Sequence, residues 1–336
     1  MTFTDVLMRA VEGQPLSDEA MQTALEAMFN GEVPSEQLAA FLTALKVRGE
    51  RAGEVLAAVR FLKKSARMIK APAGAIDTCG TGGDGAHTYN ISTAVALVTA
   101  ACGVPVAKHG SRAVSSASGS SDVLSVLGVD LKRSVEDAEA CLHDHGITFL
   151  FAPNHHPVMA QVAPIRKALG FRTLFNMLGP LLNPGSAKRQ LIGVYAPDLG
   201  PIFADVLSAE GCESAWMVYG AGGLDELSLA GSNYVTNLRG GTVTQFEVSP
   251  EDAGLSRAPL EALRGGGPEE NARALTALLS GEPGPYRDVV IFNVAAALIV
   301  SGHTDDLKDG AQKAAAAIDS GAAAHKLALL KEGPST

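Results

Sequence analysis

Through residues 1–70 apolar positions recur every three or four residues, and helix-start signals precede the runs, so the stretch is predicted to be wholly helical. Ser17 stands before Asp18 and Glu19, a hydroxyl cap followed by acids that suit the positive end of a helix. Ser35, after Pro34, opens a segment whose Leu38, Phe41, Leu42 and Leu45 form one stripe, closed by Gly49. A further helix is predicted from about Gly53 to Ile69, stopping ahead of Pro72.

After Pro72 the pattern changes. Short apolar runs at Ala75 to Cys79, Val104 to Ala107, Ile147 to Phe151, Leu191 to Tyr195 and Ala215 to Tyr219 read as strands. Helical patterns fall between and after them, at Ser92 to Cys102, Ser134 to His145, Asp198 to Glu210 and Tyr286 to Ser301. This alternation predicts the α/β class with a mostly parallel sheet, extended by an antiparallel addition around Val235 to Phe246. Leu227-Ser228-Leu229 also looks strand-like. The segment from Pro164 to Pro184 lacks strand character and is expected to pack with the amino-terminal helices. Two domains are therefore expected, a small all-helical one over residues 1–70 joined by about 164–184, and a larger α/β one over 71–336, with a cleft between them.

At 336 residues, 46% hydrophobic and 19% charged, the chain can bury a sizeable core, and with 5% aromatics that core must rest on Ala, Leu and Val. The formal charge of -9 repels polyanions, so nucleic acid is not expected as a partner, and a phosphorylated small molecule must be held by a local positive pocket. Cys79, Cys102, Cys141 and Cys212 are widely spaced and read as reduced, structural thiols of a cytoplasmic protein. Met1 to Ala10 carries no basic head before a long apolar run, so no targeting segment is expected. Val289 to Val300 falls short of the roughly 20 apolar residues that cross a bilayer; it reads as a buried helix, and no membrane partner is expected.

Candidate chemistry concentrates in two stretches that each follow a predicted strand. The first is Gly80-Thr81-Gly82-Gly83-Asp84-Gly85, running on to Asn90-Ile91-Ser92-Thr93; the second is Lys108-His109-Gly110-Ser111-Arg112-Ala113-Val114-Ser115-Ser116. Both offer open backbone N–H groups and small hydroxyls, and the second adds positive charge, which is what phosphate oxygens require. Gly80 to Gly85 lies where open α/β sheets bind ligands, at the carboxyl ends of strands. No Lys follows it, as a nucleotide loop demands, and no helix opens there, as a dinucleotide fingerprint demands.

In the second stretch Arg112 is suited to clamp phosphate bidentately, and Lys108 offers a mobile point charge. Ser118, Gly119 and Ser120 extend the donor array. His109 reads as a positional hydrogen-bonder, and His155 and His156 as helix-start polar residues, because neighbours in sequence do not share a helix face. Trp216, within a strand, reads as core. Asp225-Glu226, after Gly222-Gly223, has two readings. At a strand start the two carboxylates would point to opposite faces and be solvated; in a loop both can face one cleft and, with Ser92, make a hard-oxygen set suited to magnesium.

Gly80-Thr81-Gly82-Gly83-Asp84, Asn90-Ile91-Ser92-Thr93, Lys108-His109-Gly110, Val114-Ser115-Ser116, Ser118-Gly119-Ser120, Gly179-Pro180-Leu181-Leu182-Asn183-Pro184 and Asp225-Glu226 together resemble the anthranilate phosphoribosyltransferase family. The likeness runs over nearly the whole chain, with its motifs in order. It implies transfer of the phosphoribosyl group of phosphoribosyl diphosphate to the amine of anthranilate, releasing diphosphate, in tryptophan biosynthesis. By the same likeness the donor site is lined by Gly80, Gly83, Asp84, Thr88, Asn90, Ile91, Ser92, Thr93, Lys108, His109, Gly110, Ser111, Arg112, Ala113, Val114, Ser115, Ser116 and Ser120. Gly80, Ser111 and Arg166 would meet anthranilate, and Ser92, Asp225 and Glu226 would hold magnesium.

No acid or base is required of the protein, because the amine of anthranilate is already unprotonated; catalysis would be positioning and electrostatics. The family also implies a homodimer formed through the helical domain. Two positions depart from its usual pattern. The second loop typically reads Lys-His-Gly-Asn-Arg, where this chain has the shorter Ser111, and His87 stands where Asn is frequent. A pyrimidine nucleoside phosphorylase, using free phosphate, is the nearest rival enzyme, and a silent nucleic-acid-binding relative the rival of another class. The Gly80 to Asp84 run and the acidic pair favour the diphosphate donor, and the acidic net charge opposes nucleic acid.

Overall fold

The computed structural model describes residues 1–112 and 118–335. Its amino-terminal lobe is built from α1 (Phe3–Val11), α2 (Asp18–Phe29), α3 (Ser35–Arg48) and α4 (Ala52–Lys64). The Ser17 hydroxyl accepts the Ala20 N–H at 3.2 Å, capping α2, and Leu38, Phe41, Leu42 and Leu45 of α3 are buried as one stripe. Arg48 and Glu54 form a buried ion pair, and Glu54 also accepts the Leu16 N–H at 3.0 Å, which ties the α1–α2 connection to the α3–α4 turn. The helix predicted to reach Ile69 ends at Lys64. Ser65 N–H turns back to the Leu62 carbonyl, and Ile69 N–H instead donates to the Pro184 carbonyl at 3.1 Å, a tertiary contact that local periodicity does not encode.

From residue 76 strands and helices alternate. They are β1 (Ile76–Gly80), α5 (Ile91–Ala101), β2 (Val106–Gly110), α6 (Ser120–Val126), α7 (Val135–His145), β3 (Ile147–Phe151), α8 (Ala152–His155), α9 (Ala163–Leu169), α10 (Leu174–Leu181), β4 (Arg189–Gly193), α11 (Leu199–Ala209) and β5 (Ser214–Tyr219). An antiparallel hairpin, β6 (Asn233–Arg239) and β7 (Thr242–Val248), then precedes α12 (Pro268–Leu279), α13 (Pro285–Val300), α14 (Leu307–Asp319) and α15 (Ala322–Glu332). The strands form one seven-stranded sheet in the order β3-β2-β1-β4-β5-β6-β7, parallel through β5 and antiparallel beyond it.

Two departures from the pattern bear on the site. β2 runs on to Gly110, past the Ala107 where the apolar run stops, because Lys108 and His109 are themselves buried strand residues. Leu227-Ser228-Leu229 is not a strand; it is a buried turn whose backbone is satisfied by amide side chains, Leu227 N–H by Asn293 at 2.9 Å and Ser228 N–H by Asn233 at 2.7 Å.

Alternation along the strands splits the core in two. Ile76, Leu191, Trp216, Val218 and Val235 face α5 and the carboxyl-terminal helices, and Trp216 packs edge-on to Phe246. Cys79, Ile192, Ala215, Met217 and Leu238 face the other way, into one apolar cluster with Phe41, Leu42, Phe175 and Phe203. The helical lobe thus sits directly on one face of the sheet, with α9 and α10 packed on α3 and α4. α5 is buried almost all round, which fixes where its amino terminus points.

Candidate active site

The chain leaves β1 for β2 and β3 on one side and returns to β4 and β5 on the other, so the strand order switches between β1 and β4. At that point, where a switch in strand order is expected to leave a crevice at the carboxyl ends of the strands, Gly80 and Gly193 lie in register. The turn carrying the acidic pair drops into this crevice. Asp225 Oδ2 accepts the Gly82 N–H at 2.7 Å, and Asp225 N–H points to Asp84 Oδ2 at 3.4 Å. The reading of Asp225 and Glu226 as solvated carboxylates on opposite faces is therefore wrong. Strand geometry does not apply in this turn, and Glu226 is buried, while Asp225 keeps part of its surface open.

The electrostatics of the crevice follow from that packing. Burial, then the Glu226 charge and the Asp84 charge, raise the Asp225 pKa well above the usual carboxylate range. Burial likewise pushes Glu226 up to about 8, against the pull of Lys108 and of the Ser92 N–H and hydroxyl. Asp77, wholly buried in β1, is raised by burial as well, although it accepts the His109 N–H at 3.1 Å and an Asn183 N–H at 2.7 Å. Lys108 is not the mobile charge its sequence context suggests. It is buried, and its ammonium donates to the Thr78 carbonyl at 2.6 Å and to Ser92 Oγ at 3.2 Å. Among the described residues this one fixed ammonium faces Asp77 and Glu226, and no cation is paired with Asp84 or Asp225.

The first glycine loop ends at Asn90, immediately ahead of α5, so Ile91, Ser92 and Thr93 form the first turn at a helix's positive end. His87 takes a left-handed backbone with φ +52, a conformation that Asn also adopts with ease. Thr88 forms an isolated bridge to Arg264. In the second loop Gly110 ends β2, where a Cβ would lie 2.5 Å from Ser120 Oγ, so the loop's two ends meet closely. Ser111 and Arg112 are exposed, and the Ser111 carbonyl accepts the Ser120 hydroxyl at 3.4 Å. Ala113, Val114, Ser115 and Ser116 lie outside the described residues.

Both His109 and its neighbour His156 are buried, with ring centroids 5.3 Å apart. His109 Nδ1 donates to the Gly179 carbonyl at 3.1 Å, the positional role its sequence suggested, and burial followed by the His156 charge drives its pKa down to about 3. Of the two residues read as helix-start polar groups, His156 does precede a short 3-10 turn at Pro157–Gln161, whereas His155 ends α8; both are buried, bonded to the carbonyls of Leu182 at 2.8 Å and Arg67 at 2.7 Å respectively. Arg166 sits on α9, half-buried, with its guanidinium 5.8 Å from the Phe175 ring centroid. No hydrogen bond or ion pair engages it among the described residues. All four thiols are free, and burial raises their pKa values, to about 11 for Cys102 and Cys212, so they stay protonated.

Comparison with known proteins gives the same assignment throughout. The helical bundle domain model of the glycosyl transferase family matches residues 4–66, and the a/b domain model of that family matches residues 73–324. An anthranilate phosphoribosyltransferase of Rhodospirillum rubrum is 54% identical over 95% of this chain and 92% of its own. The chain belongs to the anthranilate phosphoribosyltransferase family. The crystal structure of the Thermus thermophilus member superposes with a TM-score of 0.91 at 42% identity, over 97% of this chain and 99% of that one. The Saccharomyces cerevisiae member, in complex with PRPP and Mg, superposes with a TM-score of 0.90 at 30% identity over 98% and 97%.

For a member of the anthranilate phosphoribosyltransferase family, sequence reasoning overlooked several residues around the cleft. Asp77 was a lone charge in an apolar strand, a signal in itself. Asn183 lay in the quoted Gly179 to Pro184 run, and its amide bridges Asp77 and the Ala107 carbonyl at 2.7 Å each. Asn271 and Tyr286, at the starts of α12 and α13, carried no local signal because their partner, Asn90, is remote in sequence.

Proposed function

We propose that the crevice between β1 and β4 binds phosphoribosyl diphosphate with magnesium and presents its anomeric carbon to the amine of anthranilate, giving phosphoribosyl-anthranilate and diphosphate. The observation that carries this reading is the 2.7 Å contact between Asp225 and the Gly82 N–H, which brings the acidic turn onto the first glycine loop.

The residues present fit a divalent cation. One ammonium, that of Lys108, faces Asp77 and Glu226, and among the described residues none is paired with Asp84 or Asp225, so the site is short of positive charge. Among the described residues no cluster of three or more His, Cys, Asp and Glu side chains forms a dedicated metal cage. A pair of carboxylates with Ser92 suits magnesium, which keeps several waters and takes phosphate oxygens. Asp225, Glu226 and Ser92 would hold it; when bound, it neutralises charge that develops on the departing diphosphate.

This chain's own residues do the rest. Backbone N–H groups of Gly83 to Gly85, beyond the Thr81 and Gly82 N–H groups already given to Gly193 and Asp225, and the amino terminus of α5 hold the phosphates, with Gly80, Gly83, Asp84, Thr88, Asn90, Ile91, Ser92 and Thr93 along the near wall. Lys108, pinned by Thr78 and Ser92, acts as a fixed charge behind that wall, with His109 and Gly110 beside it. Ser111, Arg112, Ala113, Val114, Ser115, Ser116 and Ser120 complete the donor site. Arg166, with no hydrogen bond or ion pair among the described residues, suits the carboxylate of anthranilate, with Gly80 and Ser111 as further acceptor contacts.

We place the activity in the cytoplasm, a reading supported by the four free, protonated cysteines. We also infer a homodimer through the helical lobe, supported by Met8, Val11 and Val47, which are exposed on α1 and α3. Incubating the protein with anthranilate and phosphoribosyl diphosphate and following the loss of anthranilate fluorescence tests the assignment. Donor-dependent loss that stops when magnesium is chelated supports it; no loss with both substrates present overturns it.

A further inference from the structure

Resting on the donor-binding role given to Asn90 above, we infer that Asn271, together with the Tyr286 hydroxyl, is a positioning device for the donor site. It clamps Asn90 so that the end of the first glycine loop is tied to the far anchor of the second.

The contacts form a chain with only one possible polarity. Gly266 N–H can only donate, and it donates to Asn271 Oδ1 at 2.9 Å. That fixes the Asn271 amide, whose Nδ2 then donates to Asn90 Oδ1 at 2.9 Å. Asn90 Nδ2 is left to donate to the Ser118 carbonyl, which can only accept, at 3.2 Å. A donor-only group at one end and an acceptor-only group at the other forbid either amide from flipping without breaking a bond. The Tyr286 hydroxyl donates to the Asn90 carbonyl at 3.3 Å, and the Tyr286 ring stacks on Tyr89 with centroids 4.6 Å apart. Asn271 is itself buried.

The surrounding segment braces the same loop through its backbone. Tyr89 N–H donates to the Leu263 carbonyl at 3.0 Å, Gly265 N–H donates to the His87 carbonyl at 2.9 Å, and Thr88 bridges Arg264. A Cβ on Gly265 would lie 2.9 Å from both the Thr88 carbonyl oxygen and the Tyr89 nitrogen, so the two segments touch backbone to backbone. Asn90 does not cap α5 with its side chain, although Asn is a favoured cap residue. Its amide is spent on Ser118 and Asn271 instead. The consequence is that the start of α5, with Ser92 and Thr93, is held at a set distance from the second loop by a group that never touches substrate.

The experiment compares wild type with Asn271→Asp and Tyr286→Phe by steady-state kinetics and thermal denaturation. Asn271→Asp keeps the acceptor for Gly266 N–H and removes the donor to Asn90. The Michaelis constant for phosphoribosyl diphosphate is expected to rise about tenfold in Asn271→Asp, with that for anthranilate within about twofold of wild type. Tyr286→Phe, which removes one hydroxyl and retains the ring stack, is expected to raise the donor constant about threefold, and it carries the test if Asn271→Asp does not fold. Folded variants that melt lower but leave the donor constant unmoved overturn the inference and mark the amide chain as scaffold. A wild-type protein without donor-dependent turnover overturns the donor-site reading and the inference with it, so the two failures are distinguishable.

Discussion

The Asp225 backbone occupies the space that a side chain on Gly193 would fill. A Cβ there would sit 1.4 Å from the Asp225 carbonyl oxygen, and one on Gly80 would sit 2.3 Å from Asp225 Oδ2. The last residues of β4 and β1 are therefore cut back to backbone so that the acidic turn can descend between them. Gly193→Ala must push the turn out, at a cost at or above the upper end of the about 1–3 kcal/mol that overpacking brings. Thermal denaturation is expected to show that loss, and turnover at saturating magnesium is expected to fall with it. A stable variant with wild-type turnover would show that the reaction does not depend on where Asp225 sits.

Removing the negative charges should separate stability from activity. Asp225 and Glu226 are packed side by side where burial and neighbouring carboxylate charge disfavour ionisation, so Asp225→Asn with Glu226→Gln relieves that cost and is expected to melt no lower than wild type without metal. Turnover is expected to fall by about a hundredfold or more, since transition-state charge loses its counter-ion. Wild-type rates at limiting magnesium would sink the metal assignment.

How far the sequence shows this arrangement depends on the range of the interaction. The helical lobe, the order of strands and helices, and the glycine loop after β1 were legible, because helix caps, three- and four-residue stripes and glycines after apolar runs are local signals. Leu38 to Leu45 and Gly80 to Gly85 are of this kind. The placement of Lys108 and His109 misled, though not the positional role of His109, since polar residues inside a buried strand look like a loop until their partners, Ser92 and Gly179, are known. His155 and His156 misled for the same reason, being buried against carbonyls of Arg67 and Leu182. The Leu227 to Leu229 turn, satisfied by Asn293 and Asn233 rather than by a ladder, has the apolar alternation of a strand without its hydrogen bonds.

The buried histidines predict acid sensitivity. His109 has its folded-state pKa lowered to about 3, and His156 to about 4, from an ordinary 6.5. In both, the unfolded chain binds the proton more readily than the folded one. The stabilisation is thus fully present above pH 6.5 and is lost as the pH falls through about 4 and then about 3. Asp225 and Glu226, with raised values, work in the opposite sense, so the cleanest measurement is made in the Asp225→Asn, Glu226→Gln background. Urea midpoints there are expected to decline steadily below pH 6.5, and to decline less steeply when His109 and His156 are both replaced by Gln. Equal slopes with and without the histidines would refute the assignment.

Arg166 offers a test of the acceptor side. Its guanidinium is half-buried over the Phe175 ring, and no hydrogen bond or ion pair engages it among the described residues, so its removal costs the fold little. Arg166→Ala is expected to raise the Michaelis constant for anthranilate about tenfold and to leave that for phosphoribosyl diphosphate near wild type. An effect confined to the donor constant would remove Arg166 from the acceptor site.

The helical lobe carries the last prediction. Val47 is 83% exposed near the end of α3, and Val11 and Met8 are 59% and 51% exposed on α1, which packs against α3. Large apolar side chains left in water on two touching helices are the composition expected of a self-association surface. The rest of each helix turns its stripe inward, so these residues add nothing to the monomer's core. Val47→Asp with Val11→Asp should therefore leave the folded monomer intact and weaken pairing, because each would set charge facing charge across a two-fold axis. Light scattering on the eluting protein is expected to give twice the chain mass for wild type and one chain mass for the variant at micromolar concentration. A wild-type protein that elutes as a monomer would overturn the homodimer, and a variant that stays dimeric would move the interface off these residues.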